Sequence, residues 1–259
     1  MREAHAALMQ RDYIEAEKSC ERYLRRSPEG VHRWDAWNRL LDIAVNVRHD
    51  RKAAMELLEA MLIEFAADTV KKRSIHMQLA DMCRLERRYG RALALWTAVV
   101  DDKEAPVVER AEAYRRLGEV YLRRLEFELA KEALSYALAL DIPAVLRGQC
   151  LYELAAVHAA MEEPGAAIKQ LEAILALPEI PQAQHVLAAF TLADILEMRG
   201  QYAEALRLFT SIRTVYPNTL VVEQRIAYLK NPKPMRNATI PPPLPPVRRG
   251  KPQPEFPPS

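Results

Sequence analysis

The chain has 259 residues, 50% of them apolar, 28% charged and 7% aromatic, which is enough apolar material for a substantial core and excludes disorder throughout. Only 7 glycines occur, with no glycine pair and no G-x-G cluster, so phosphate-cradling loops and turn-rich sheets are excluded and helices are favoured. The formal charge of +2 hides a split: residues 231–259 carry Lys233, Arg236, Arg248, Arg249 and Lys251 against Glu255 alone, a tail at +4 and hence a body at −2. Such a body is a poor match for nucleic acid, whose affinity rests on many unopposed phosphate contacts.

Three cysteines, Cys20, Cys83 and Cys150, are odd in number and far apart in helical text, the pattern of buried thiols in a reducing compartment rather than of disulfides. No run approaches the roughly 18 apolar residues of a membrane span, and the first residues lack the apolar core of a secretion signal. The expectation is a cytoplasmic protein without a membrane span. The first helix begins at the initiator Met1 with its opening turn missing, the expectation for a trimmed chain or one with a segment upstream.

Self-similarity organises the chain. The motif aromatic-x-x-Ala-x-x-x-apolar-x-x-apolar recurs with its alanine at Ala16, Ala53, Ala92, Ala130, Ala167 and Ala205, in steps of 37, 39, 38, 37 and 38. In chain order, residues 1–30 hold a short first helix and an intact second one ending at Pro28. Residues 33–66 carry Trp37, Leu40, Leu41, Ala44, Ala53, Leu57 and Ala60, and residues 72–103 carry Leu79, Ala80, Cys83, Tyr89, Ala92, Trp96 and Val99. In 110–143 the matching positions are Tyr114, Leu117, Gly118, Tyr121, Ala130, Leu134 and Ala137, with Pro143 at the end. Residues 147–178 offer Leu151, Leu154, Ala155, His158, Ala167, Leu171 and Ile174, and 184–217 offer Ala189, Leu192, Ala193, Leu196, Tyr202, Ala205, Phe209, Ile212 and Pro217. Gly118, Ala80, Ala155 and Ala193 are small where a first helix must admit its neighbour, and the large residues at helical spacing fill the groove between helices. Each pair leaves an apolar flank that only the next pair covers. The segment 219–230 then reads as an amphipathic capping helix, and 231–259, with 11 of the 18 prolines, as a disordered basic tail of extended backbone.

These positions resemble the tetratricopeptide repeat, whose pattern runs W-x-x-L-G-x-x-Y, then A, F, A and a closing P. The resemblance covers about residues 2–217 and implies an all-α, right-handed superhelix of antiparallel helix pairs, about six repeats plus the cap. The family period is about 34 residues, so the longer steps here place roughly one extra helical turn in the helices or their connections. Phe65 and Glu104 stand where the family closes with proline.

The resemblance also implies that first helices line an inner groove. Carried across copy by copy, the groove positions are Asn38, Asp42 and Asn46; Met77, Asp81 and Arg84; Arg115, Glu119 and Arg123; Tyr152; and Phe190 and Asp194. Polar residues in the middle and two exposed aromatics beyond suit an extended peptide or a helix. The lysine and asparagine clamp by which family members hold a chaperone's C-terminal carboxylate is not reproduced: Asn38 or Met77 stands at the lysine position and Asp42 or Asp81 at the asparagine position. The arginines Arg84, Arg87, Arg88, Arg91, Arg115, Arg116, Arg123 and Arg124 are interleaved with acids and read as charged helix faces.

No catalytic constellation stands out. His76 and Cys83 lie on one helical face, but no third or fourth ligand is spaced nearby, so both read as core residues, as does His158 at the position of Tyr121. Asp101–Asp102 and Glu162–Glu163 read as solvated turn carboxylates. In the tail, Pro243, Pro246 and Arg248 match the ligands of SH3 domains, and Pro242-Pro243-Leu244-Pro245 matches those of some WW domains. The expected function is a non-catalytic scaffold or adaptor without cofactor or metal, binding a protein or peptide and not nucleic acid. A peptide-sensing regulator and a helper domain of a larger secretion or assembly machine or enzyme are the alternatives.

Overall fold

The computed structural model of the protein describes residues 2–230, which form thirteen α-helices. Six antiparallel pairs follow one another: α1 (Arg2–Met9) with α2 (Tyr13–Arg26), α3 (Arg33–Asp42) with α4 (Arg51–Glu64), and α5 (Thr69–Leu85) with α6 (Tyr89–Val100). Then come α7 (Val107–Arg123) with α8 (Phe127–Ala139), α9 (Ala144–Ala160) with α10 (Pro164–Leu175), and α11 (Gln182–Met198) with α12 (Tyr202–Ile212). Helix α13 (Thr219–Lys230) lays Val222, Ile226 and Leu229 on the apolar flank of the last pair. Each helix packs on the next in the chain, and α9 also touches α7 and α11, the first helices of the neighbouring pairs. The extra length over the family period lies in the helices: α5, α7, α9 and α11 are each 17 residues long.

One turn geometry recurs inside the pairs. The residue before each second-helix cap is left-handed: Arg11, His49, Arg87, Leu125, Glu162 and Gly200 all have positive φ. The cap residue's N–H then bonds back to the first helix, as from Glu126 to the Tyr121 carbonyl at 2.9 Å and from Gln201 to that of Leu196 at 2.9 Å, closing the helix end in the Schellman manner. Four residues past each cap sits a fully buried alanine, Ala16, Ala54, Ala92, Ala130, Ala167 or Ala205.

The second repeat thus corrects the motif, because its buried alanine is Ala54 and not Ala53, which is half-buried. The cause is one inserted residue. A π-turn, Ile43–Val47, continues α3, and the Asp50 N–H reaches back six residues to the Ala44 carbonyl at 2.8 Å where the other turns reach five. Steps between buried alanines then become 38, 38, 38, 37 and 38.

In the fourth repeat Gly118 does what its size suggested. A Cβ there would stand 2.7 Å from Leu134 Cγ, so the helices approach as closely as a bare Cα allows. At the end of α4, Phe65 takes the place of a closing proline and packs edge-on against Trp34 with ring centroids 5.1 Å apart.

Candidate functional site

A cavity of about 320 Å³ opens between α3 and α5. Four of the residues expected in the groove, Asn38, Asp42, Asn46 and Asp81, line it together with Gln78, over an apolar floor of Leu41, Val45, Leu58 and Met82. Asp42, Val45 and Asn46 lie on or beside the π-turn, while Gln78 and Asp81 come from α5. The amide nitrogens turn onto their own helices: Asn38 Nδ2 donates to the Trp34 carbonyl at 2.8 Å, Asn46 Nδ2 to Asp42 Oδ1 at 2.6 Å and Gln78 Nε2 to Ser74 Oγ at 3.2 Å. Asp81 Oδ1 is buried without a hydrogen bond. Arg84 and Arg116 each approach it at 3.7 Å, beyond hydrogen-bond reach.

The rest of the first-helix face is a seam of ion pairs between repeats. Arg84 on α5 donates to Glu119 on α7 at 3.1 Å, and exposed Arg123 donates to the same carboxylate at 3.1 Å. Arg115 is only 8% exposed; it pairs with Glu112 at 2.6 Å and with Glu153 on α9. Burial opposes its charge, but the Glu112 and Glu153 carboxylates hold its pKa above the ordinary value. Glu153 leaves Oε2 buried and unpartnered, and burial, which Arg115 only partly offsets, pushes its pKa up to about 7. Asp194 and Glu197 on α11 pair with Arg225 of α13. The aromatics are not free anchors: Phe190 is half-buried and stacks on Tyr216 at 4.5 Å, and Tyr152 Oη shares a hydrogen bond with Thr191 Oγ1 at 3.2 Å. Met77 is half-buried against the apolar cluster of α4, α5 and α6. Of the expected groove set, the structure therefore gathers the first three and Asp81, and engages most of the others in contacts between helices.

No family model and no curated protein matches the chain, whereas solved structures do. One is PilW, a widely conserved type IV pilus biogenesis factor, at TM-score 0.60 and 19% identity, covering 85% of this chain and 94% of that one. Another is YrrB, a TPR protein with an unusual peptide-binding site, at TM-score 0.51 and 23% identity over 68% of this chain and 83% of that one. The chain has the fold of a tetratricopeptide-type solenoid. MamA matches this solenoid as well, at TM-score 0.52 and 22% identity over 71% of the chain and 94% of its own length. These are likenesses of fold.

Some polar contacts of the solenoid escape a reading of turns as solvated. Asp102 accepts from buried Arg73 at 2.7 Å within the third repeat, Arg73 also donates to Glu109 of α7 at 3.1 Å, and Glu163 meets His158 Nδ1 at 2.7 Å. Arg33 and Arg147 donate to carbonyls at the end of the preceding second helix, Arg33 to Leu24 at 2.6 Å and Arg147 to Leu138 at 3.1 Å, placing a cation where the helix dipole favours one. In sequence Arg73 and Asp102 lie 29 residues apart, His158 and Glu163 five, and each arginine and its carbonyl nine. The arginine run is largely neutralised, with Arg84, Arg91, Arg115, Arg116, Arg123 and Arg124 all in ion pairs.

A second apolar cavity, of about 580 Å³, lies between α2, α3 and α4, and Ala53, Leu57 and Ala60 form one wall of it. The residues that the motif assigned to the core of the second repeat thus face an opening. All three cysteines are buried and unbridged, and burial pushes the Cys150 thiol up to about 12. Among the described residues no group of three or more His, Cys, Asp or Glu side chains is placed to hold a metal ion, and no helix is long and apolar enough to cross a membrane. The tail motif of Pro243, Pro246 and Arg248 lies outside the described residues.

Proposed function

We propose that the chain is a non-catalytic interaction scaffold that holds a partner peptide against the first-helix face, with Asn38, Asp42, Asn46 and Asp81 as its contact set. The observation that carries this reading is the cavity of about 320 Å³ between α3 and α5, which brings those four residues and an apolar floor together. An extended peptide can set backbone N–H groups on the amide oxygens and an anchor side chain on the floor. The test is selection of peptides from a random display library on the chain, followed by affinity measurements on Asn38→Ala with Asn46→Ala. Loss of at least about fivefold with an unchanged melting temperature supports the reading. Equal affinity for the double variant overturns it.

A role as helper within a larger assembly machine is favoured by one observation, the overlay on PilW across 85% of the chain. It predicts that the chain purified from its own cells elutes in a stoichiometric multiprotein complex; elution at the mass of the chain alone counts against it. For the tail, the proposed partner is an SH3-like or WW-like reader, checked by binding of a 231–259 peptide to such domains with Pro243→Ala and Pro246→Ala as controls.

A further inference from the structure

We infer that the apolar cavity between α2, α3 and α4 receives the proline-rich segment 240–247 of a second copy of this chain. The cavity, of about 580 Å³, is walled by Leu24 of α2, Trp37 and Leu40 of α3, and Ala53, Leu57 and Ala60 of α4, a size and lining suited to a ligand. The charges at its mouth are already engaged: Arg48 with Glu17, Arg33 with Glu64 at 2.6 Å, Arg25 with Glu21 at 3.1 Å and Lys52 with Glu56 at 3.8 Å. The Trp37 N–H donates to Glu64 at 2.9 Å, which leaves its ring as wall. An occupant therefore meets apolar surface, and a buried charge on it would go unpaired.

This wall is peculiar to the second repeat. Ala53, Leu57 and Ala60 stand one residue before, and three and six residues after, the buried Ala54. The first, third, fifth and sixth repeats each place a charge or an amide in the same stripe, at Glu15, Arg91, Gln170 and Glu204. In the fourth the stripe carries Tyr136, whose hydroxyl donates to Glu132 at 3.1 Å.

The occupant follows from the composition and length of the tail. Residues 237–247, between Arg236 and Arg248, carry no charge and include five prolines. In a polyproline backbone three residues make a turn of about 9.3 Å, so Pro241, Leu244 and Val247 share one face. The stripe from Ala53 to Ala60 runs about 10.5 Å along α4, which matches Leu244 and Val247 to its two ends. A stiff extended segment loses little entropy on docking to such an aromatic-bearing groove, and a tail at +4 is drawn to a body at −2. The 14 residues from Lys230 to Leu244 reach about 43 Å. Five steps of about 8–10 Å each, over α11, α9, α7 and α5, separate α13 from α3. The chain's own cavity thus demands a taut tail, and that of a second copy does not.

The test is sedimentation equilibrium of the full chain, of Ala53→Trp, which fills the cavity, and of Leu244→Asp with Val247→Asp, which spoils the inserted face. The wild type is expected to gain at least about twofold in weight-average mass between about 10 µM and 1 mM, while each variant alone stays at the mass of one chain. Mixed in equal amounts, the two variants should pair, because one keeps the tail and the other the cavity. If Ala53→Trp loses its helical circular dichroism, Ala60→Trp takes its place. A wild type that stays at the mass of one chain overturns the inference, as does association that survives in either variant. Folded variants that fail to associate on mixing overturn it too.

Discussion

The second and fourth repeats carry the same motif, yet one pair of helices is open and the other closed. In the fourth, Gly118 lies against Leu134, and α7 and α8 approach to the limit set by a bare Cα. Counted from the buried alanine and allowing for the inserted residue, Leu41 occupies the Gly118 position in the second repeat and Leu58 the Leu134 position. Two leucines face each other where the third, fifth and sixth repeats set Ala80, Ala155 and Ala193 against Trp96, Leu171 and Phe209. Leu41 and Leu58 are both buried, and both border the cavity of about 320 Å³. One small-to-large exchange and one π-turn thus convert a packing unit into a recess, and the surrounding stack tolerates it because each repeat contacts only its neighbours.

The largest expected effect comes from adding bulk to the closed repeat. Ala130→Trp should cost about 3 kcal/mol or more, a fall in melting midpoint of about 6–12 °C, and Ala54→Trp should do the same at the corrected position. Ala53→Trp, directed into the cavity of about 580 Å³, should stay within about 1 kcal/mol of wild type. Equal losses at Ala53 and Ala54 in thermal melts would erase the distinction. Next, Gly118→Leu gives the fourth repeat the leucine pair of the second, and about 2 kcal/mol of destabilisation is expected by urea unfolding.

A pH effect of intermediate size belongs to the closed half. Burial raises Glu153 from 4.5 to about 7, so the folded chain binds this proton more tightly than the unfolded one. Its contribution to stability is fully present below about pH 4.5 and is lost as pH rises through 7, at most about 3 kcal/mol. Wild type should lose that margin relative to Glu153→Gln between pH 5 and pH 8; parallel melting curves for the two proteins would contradict it. The smallest effect is expected from deleting 231–259, which should move the midpoint by less than about 2 °C.

Much of the solenoid was legible because its rules are local. An alanine every repeat, small residues facing it and a capping helix are properties of periodic spacing. The register at Ala54 was not legible, since counting nine residues on from Cys83, Tyr121, His158 or Leu196 reaches the buried alanine, while the same count from Ala44 reaches Ala53. Only the backbone reveals that Ile43–Val47 absorbs one more residue. Half of the candidate site was legible too: Asn38, Asp42, Asn46 and Asp81 follow from groove positions, but Gln78 and the apolar floor depend on how far α3 stands from α5. Phe190 reads as an exposed anchor because Tyr216, which stacks on it, lies 26 residues on in the closing segment. Arg115 reads as a groove residue until Glu153, 38 positions on, claims it.

The most direct measurement is the affinity of a display-selected peptide for Gln78→Trp, a substitution that fills the α3–α5 cavity and leaves the buried face of α5 untouched. The account predicts a loss of about tenfold or more with an unchanged melting curve. Undiminished affinity would contradict it.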